Sequence, residues 1–398
     1  MTSKDLLTRA VSDVVPRALA EEKLKSGKPL RIYLGIDPTG AKLHLGHSVP
    51  LRKLKAFADA GHHVIFLIGS FTAMIGDPSG RVTVREPLTT GQIEENFATY
   101  RAQASKILDF RTIEMRYNHE WHGQLKFEDL LRIASHFTVQ QMLQRDMFKE
   151  RMKRGEDLSP NEFFYPLMQG YDSVMLDVDG EIGGNDQLFN MLCGRALQKA
   201  FGKRNKFVLT TKLIEGTDGR KMSKTYDNCI WLDDSAKDMY GKLMSIKDEL
   251  IVTYLECVTG MPMEDVREIE KSLMKGGNPK EAKMRLAREV VTLYHGTEAA
   301  QHEEDQFTSV FSKHELPQDI KEVRVKKGSL VLDLLVKAKL ASSKGEARRL
   351  IEQGGVHVQD KTVKGIDATV EEGLTPEALT NGVVLKVGKR KFLRLLVI

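Results

Sequence analysis

Residues 44–47 read His44-Leu45-Gly46-His47, and residues 221–225 read Lys221-Met222-Ser223-Lys224-Thr225. Two histidines three apart share one face of a helix. Both can donate to phosphate oxygens while neutral. A helix start exposes unpaired N–H groups and the positive end of a dipole, which suits a triphosphate. Gly46 carries no side chain, so an adenine ring can approach the backbone there. Lys221 and Lys224 follow the polar, turn-rich Thr217-Asp218-Gly219-Arg220. Two lysines on such a loop bring positive charge when the loop closes, as charge shifts onto a leaving pyrophosphate. Alone, the first motif is more often a helix cap with two surface histidines, and the second a solvated basic loop. Together, in this order and about 180 residues apart, they point to chemistry on a nucleoside triphosphate.

Both motifs need a frame. Leu30–Ile36, His63–Ile68, Ile113–Tyr117 and Phe207–Thr210 read as short strands, and Leu51–Ala60 and Gln92–Leu108 as helices between them. Such alternation favours an α/β fold with a parallel sheet covered on both faces. Ligands then bind beyond the carboxyl ends of the strands. A strand ends near Ile36, a Pro/Gly turn follows, and a helix starts near His44–His47. Pro50 sets that start, since it is tolerated only in a first helical turn. Gly183-Gly184-Asn185-Asp186-Gln187 reads as a tight loop at which backbone approaches ligand.

The chain changes character after residue 233. Asn278-Pro279-Lys280-Glu281 reads as a helix start, with Asn as cap and Pro in the first turn. Ala287, Val290, Val291 and Tyr294 follow at helical spacing, and Gly296 stops the helix. Residues 313–327 read as a charged linker. The last segment starts near Gly328. Leu332, Leu335, Val336 and Leu340 share a helix face. A second helix is started by a Ser cap at Ser342-Ser343 with Glu346 following, and Val356-His357-Val358 is a strand. The expected domains are 1–233, α/β; 234–320, α-helical; and 328–398, small and α+β.

With 398 residues, 41% hydrophobic and 29% charged, the chain has material for two or three soluble domains. No run approaches the ~20 apolar residues of a membrane span, and the first fifteen residues lack a signal-type apolar run. Cys193, Cys229 and Cys257 show neither metal nor disulfide spacing, so a cytoplasmic setting is expected. Net charge is +5, but residues 321–398 hold sixteen Lys and Arg against nine Asp and Glu. A basic tail on a near-neutral body suits a polyanion.

The two motifs resemble the signatures of class I aminoacyl-tRNA synthetases. Tyr33-x-Gly35-x-Asp37-Pro38-Thr39, Ile75-Gly76-Asp77-Pro78-Ser79-Gly80, Tyr165-Pro166-Leu167-Met168-Gln169-Gly170-Tyr171-Asp172 and Gly183-Gly184-Asn185-Asp186-Gln187 resemble the tyrosyl-tRNA synthetases among them. Lys221–Thr225, the Glu181-Ile182 lead-in and Asn118-x-x-Trp121 look closer to the second bacterial type. The resemblance covers nearly the whole chain. It implies a Rossmann-like, doubly wound catalytic domain, a helical domain on the anticodon side, and ATP with Mg2+ as substrate. It also implies a homodimer acting on the tRNA for tyrosine.

For sites, the resemblance implies a catalytic set of Thr39, His44, His47, Lys221 and Lys224, with Arg81 and Arg85 near pyrophosphate. It places Asp37, Gly46, Gly184, Asp186 and Lys224 on ATP. Around tyrosine it places Tyr33, Asp77, Tyr165, Gln169, Asp172 and Gln187. Chemistry agrees for two of these: Asp172 can accept the phenol proton, and the Tyr33 hydroxyl can donate to the same oxygen. Where the family often has Ser or Thr this chain has Asn185, and where some members have Trp-Gly it has Leu188-Phe189. The stretch Ser343–Val358 resembles a small RNA-binding domain first known from a ribosomal small-subunit protein, with Lys344, Arg348 and Lys361 as phosphate contacts. Two rivals remain. A tryptophanyl-tRNA synthetase would share fold and signatures but not the Tyr33/Asp172 pair. A non-catalytic RNA-binding protein on this scaffold would have no use for the histidines and lysines.

Overall fold

The computed structural model describes residues 3–40, 42–79, 89–223, 226–312, 322–359, 361–370, 383–388 and 391–397. It divides into two compact units, residues 1–300 and 301–398.

The first unit is built on six strands: β1 (Val11–Val15), β2 (Arg31–Ile36), β3 (His63–Ile68), β4 (Glu114–Tyr117), β5 (Gly180–Gly184) and β6 (Phe207–Thr211). Their order across the sheet is β1-β6-β5-β2-β3-β4. The pairs β6/β5, β5/β2, β2/β3 and β3/β4 are parallel, and β1 closes one edge antiparallel to β6. Ile32, Ile65, Phe66, Val208 and Leu209 are buried, the pattern of strands covered on both faces. From β2 the chain winds outward to β3 and β4, then returns to β5 on the other side of β2. That reversal makes the gap between the ends of β2 and β5 the natural ligand crevice.

Two strands depart from expectation. β1 is a short edge strand that buries Val11 and Val14. β5 takes Gly183 and Gly184 as its last residues, and Asn185–Gln187 form a single 3-10 turn, so this stretch is a strand end rather than a free loop. Its glycines let the strand lie between β2 and β6, where Ile32 and Phe207 crowd Gly180.

The helix Leu45–Asp59 runs with His44 as its cap and buries Leu45, Val49, Leu54 and Phe57. Pro50 is its sixth residue, beyond the first turn. It removes the N–H that would bond the Gly46 carbonyl, and burial of the helix face carries that loss. Helices Ala236–Met244, Ile251–Val258, Met263–Met274 and Pro279–His295 complete this unit. Asn278 caps the last of these through Lys280 N–H, and Gly296 ends it at φ +90°. The Arg9 guanidinium donates to the Glu256, Thr259 and Met261 carbonyls, closing the free end of Ile251–Val258.

The second unit has β7 (Glu322–Val325), β8 (Val356–Val358), β9 (Lys361–Thr362), β10 (Val383–Val387) and β11 (Lys391–Val397), in the order β7-β11-β10-β8-β9. Helices Val331–Lys337 and Lys344–Glu352 bury Val331, Leu335, Ala347 and Ile351 against Val356, Leu385 and Leu395. β7 pairs with β11, so the module begins upstream of Gly328, inside the stretch expected to be linker.

Candidate active site

Each parallel strand of the first unit that borders the crevice delivers expected site residues from its carboxyl end. Asp37, Thr39 and His44 follow β2, Asp77 follows β3, Asp186 and Gln187 follow β5, and Lys221 follows β6. The long helix Pro160–Leu176 adds Tyr165, Gln169 and Asp172.

On the phosphate side, His44 Nδ1 accepts from Gly46 N–H at 3.1 Å, and His44 N–H donates to His47 Nδ1 at 3.2 Å. Both Nδ1 atoms are therefore acceptors, and each neutral ring keeps its proton on Nε2. The rings stack with centroids 3.8 Å apart. Burial lowers the His44 pKa to about 3, helped by His47 and Lys221. Burial with Lys221 lowers His47 to about 4. At neutral pH both are uncharged donors. A Cβ on Gly46 would stand 2.9 Å from the His44 ring, so the glycine is already required by this cap, whatever ring approaches it.

The segment after the lysine motif is fastened to the same place. Leu45 N–H donates to the Ile230 carbonyl and Leu232 N–H to the Leu43 carbonyl. Met222 is buried, with its sulfur 3.8 Å from where a Gly46 Cβ would stand. Lys221 Nζ reaches Asp186 Oδ2 at 3.3 Å. Asn228, buried, accepts from Ser223 N–H and donates to Asp218 and to the Arg220 and Lys221 carbonyls. Thr39 N–H donates to the Asp37 carbonyl at 2.8 Å, closing the turn after β2. Lys224, Arg81 and Arg85 lie outside the described residues.

On the other side lies a partly buried polar network. Tyr165 hydroxyl donates to Asp37 Oδ2 at 2.8 Å, and Thr72 holds the other oxygen at 2.7 Å. Burial first, then the charges of Asp37 and Asp77, raises the Tyr165 pKa well above the ordinary range. Gln187 donates to Asp77 Oδ2 at 2.7 Å. Asn190 donates to Gln169 and Gln187, and Gln169 to Glu181 Oε1. Five expected residues are thus brought together: Asp37 with Tyr165, and Asp77 with Gln187 and, through Asn190, Gln169.

Tyr33 and Asp172 are not bonded to one another. Asp172 Oδ1 accepts from Trp121 Nε1 at 2.8 Å and His122 Nε2 at 2.7 Å, and Oδ2 accepts from Asn118 at 3.3 Å. A carboxylate has about four acceptor positions, so one remains on Oδ2. Tyr33, 1% exposed, hydrogen bonds Ser173 Oγ at 2.9 Å. Burial, then the Glu181 and Asp172 charges, raises its pKa well above the ordinary range. The Tyr33 hydroxyl, expected to donate to a ligand's phenol oxygen, already has Ser173 as a neighbour.

Sequence reasoning missed Ser173, Glu181, Asn190, Lys206, His122 and Asn228 as site residues. Asn118 and Trp121 stand out in the sequence only as subfamily markers. In the second unit, Lys344 pairs with Asp333 at 2.8 Å, and Arg348 and Lys361 are exposed.

Comparisons with known proteins show the family. Residues 25–312 match the family model of class I tRNA synthetases for W and Y, and residues 313–395 the C-terminal domain of SYY-like tyrosine–tRNA ligases. The chain is 45% identical to a tyrosine–tRNA ligase of Thermotoga maritima, over 98% of this chain and 96% of that one. It is 41% identical to tyrosine–tRNA ligase 2 of Vibrio vulnificus, over 98% and 97%. A truncated Aspergillus nidulans mitochondrial tyrosyl-tRNA synthetase superposes with a TM-score of 0.63 at 27% identity, covering 76% of this chain and 91% of that one. The chain belongs to the tyrosyl-tRNA synthetases, within the class I tRNA synthetase family.

Proposed function

We propose that this chain activates tyrosine with ATP and transfers it to the tRNA for tyrosine, using the residues assembled between β2 and β5. The observation that carries this reading is the convergence of His44, His47, Lys221, Met222 and Asp186 beside the polar network of Asp77 and Gln187. The tyrosine carboxylate oxygen forms a bond to the α-phosphorus, and the bond from that phosphorus to the bridging oxygen breaks as pyrophosphate leaves. The nucleophile is already an anion, so no general base is needed, and catalysis is positioning with charge stabilisation. His44 and His47 donate from Nε2, with Lys221, Lys224, Thr39, Arg81 and Arg85 on the phosphates. Asp37, Gly46, Gly184 and Asp186 line the nucleotide. Mg2+ arrives with ATP. The terminal ribose hydroxyl of the tRNA then attacks the adenylate carbonyl, and AMP leaves.

Asp77, Tyr165, Gln169 and Gln187 take the ammonium end of tyrosine; Asp172 and Tyr33 take its phenol. The free acceptor position on Asp172 supports that assignment. Phenylalanine leaves it unpaired. Tyrosyl-tRNA synthetases are themselves the standard example of this effect, with a known discrimination of ~10⁵ reached without editing. The domain assignment is catalytic for 1–233, helical and anticodon-side for 234–320, and RNA-binding for the tail, through Lys344, Arg348 and Lys361. Exposed Phe127, Leu131 and Val139 offer an apolar face for a second copy, which supports a homodimer. A cytoplasmic location goes with this work. ATP–pyrophosphate exchange tests the reading: it is expected with tyrosine and negligible with phenylalanine or tryptophan. Equal exchange with tryptophan would move the chain to the other branch of its family.

A further inference from the structure

Lys206 is buried to the last atom, in a protein where lysines belong at the surface. Its side chain is 0% exposed and pairs with Glu181, 2% exposed. Burying two charges costs more than their attraction returns unless every remaining donor and acceptor is used, so such a pair is weak evidence of stabilisation. Here the extra contacts lead somewhere. Lys206 Nζ donates to Ser173 Oγ at 2.6 Å, and Ser173 Oγ is 2.9 Å from the Tyr33 hydroxyl. The ammonium also lies 5.8 Å from the centre of the Tyr33 ring. Glu181 in turn accepts from Gln169. Gly194, on the neighbouring helix Leu188–Ala200, makes the room: a Cβ there would stand 2.5 Å from both Lys206 Nζ and Ser173 Oγ.

The directions of these bonds follow from chemistry. An ammonium has three donors and no acceptor, so Ser173 must accept from Lys206. Its single proton is then free for one of two acceptors. Glu181 Oε2 lies at 3.4 Å, at the edge of hydrogen-bonding distance, and Tyr33 is nearer at 2.9 Å. With Ser173 donating to the Tyr33 oxygen, Tyr33 keeps its own proton, for which the Glu181 carboxylate competes with a ligand oxygen. Successive donors polarise one another in a low dielectric.

We propose that Lys206 and Ser173 form a buried donor relay that orients the Tyr33 hydroxyl proton toward the phenol oxygen of the bound amino acid, and so act as positioning residues for selectivity. The proposal rests on the reading of Tyr33 and Asp172 as the phenol pocket. Lys206 touches no substrate. It sets which way the proton of Tyr33 points, while Glu181 supplies its counter-charge and links the phenol end to Gln169.

The test is the ratio of kcat/KM for tyrosine over phenylalanine in pyrophosphate exchange. Ser173→Ala cuts the relay and leaves the ion pair in place. Its ratio is expected to fall about tenfold, the worth of one well-placed hydrogen bond, with the loss falling mainly on the tyrosine arm. Lys206→Met is expected to fall at least as far. Because Lys206→Met strands Glu181 and can cost folding, the serine variant carries the decision. Tyr33→Phe added to Ser173→Ala should lower the ratio little further, since both cut one path. If Tyr33→Phe alone lowers the ratio but Ser173→Ala keeps it, or the two losses add, the relay is overturned and the pocket stands. If Tyr33→Phe leaves the ratio unchanged, the pocket reading falls and takes the relay with it.

Discussion

Two lysine–carboxylate pairs, their carboxylates five residues apart along β5 and its exit, are opposites. Lys206 and Glu181 are buried at the floor of the crevice and knitted to Ser173 and Gln169. Lys221 and Asp186 lie at its rim, 60% and 29% exposed and 3.3 Å apart. The floor is a fixed network in which Lys206, Glu181, Ser173 and Gln169 face one another before any ligand arrives. The rim is a loose, exposed pair of the kind an incoming anion can replace. Selectivity between two amino acids that differ by one oxygen demands fixed, dry partners, because only there does a missing bond cost its full desolvation. Charge stabilisation of a leaving group demands the reverse, a cation that is more useful in the transition state than before it.

The largest expected effect breaks the floor. Asp172→Ala removes the proposed phenol acceptor and strands the Trp121 and His122 donors. Exchange with tyrosine should drop by about a thousandfold, the sum of a lost charged hydrogen bond and two buried unpaired groups. Near-normal exchange in a folded variant would remove Asp172 from the pocket. At the rim, Lys221→Ala should slow single-turnover adenylate formation about a hundredfold while tyrosine affinity, read by equilibrium titration, stays put. Its melting temperature should hardly move, since exposed pairs contribute little. A large loss of tyrosine affinity would mean that rim and floor are not separate.

The basic tail extends the logic of the rim to a polyanion. Arg348→Ala should weaken tRNA binding several-fold and flatten the slope of log affinity against log salt by about 0.7–0.9, with adenylate formation untouched. An unchanged slope would leave Arg348 a bystander. The smallest effect concerns the histidines. Their folded pKa values, about 3 and about 4, lie below the ~6.5 of an unfolded histidine. The unfolded chain therefore takes up more protons as pH falls below about 6.5, and the stability that neutral burial supplies above that pH is lost on the way down to the folded values. Melting curves from pH 7 to 5 should show this decline, shallower in His47→Gln. A decline of equal steepness in that variant would show His47 is not its source.

Much of the frame is legible in the sequence. β2, β3, β4 and β6 are visible as apolar runs, and the helix Pro279–His295 is delimited by Asn278 and Gly296, because caps and periodicity are local signals. β5 reads as a loop, since Gly-rich sequence looks like a turn until Ile32 and Phe207 are seen to press on it. Pro50 misleads in the same way: tertiary burial lets the helix continue where local chemistry argues for its start. In the site, the motif residues are legible and their partners are not. Lys206 and Glu181 are 25 residues apart in sequence, and Tyr33 and Ser173 are 140 apart. A lone charged residue in a sequence reads as solvated surface, and only the sheet and two helices closing over it reverse that reading.

Asn228 gives the lysine motif a leash. The chain leaves at Ser223, whose N–H is bound by the Asn228 side chain at 2.9 Å, and must return to that same residue. The same side chain holds the Arg220 and Lys221 carbonyls, so the backbone under Lys221 is fixed and only its side chain, reaching a few ångströms, is left to move. A tethered group on so short a leash behaves as though dissolved at millimolar concentration or above beside its target. The entropy of bringing the Lys221 ammonium to the rim is thereby settled mostly when the chain folds, and reach becomes a tunable length rather than a chance encounter.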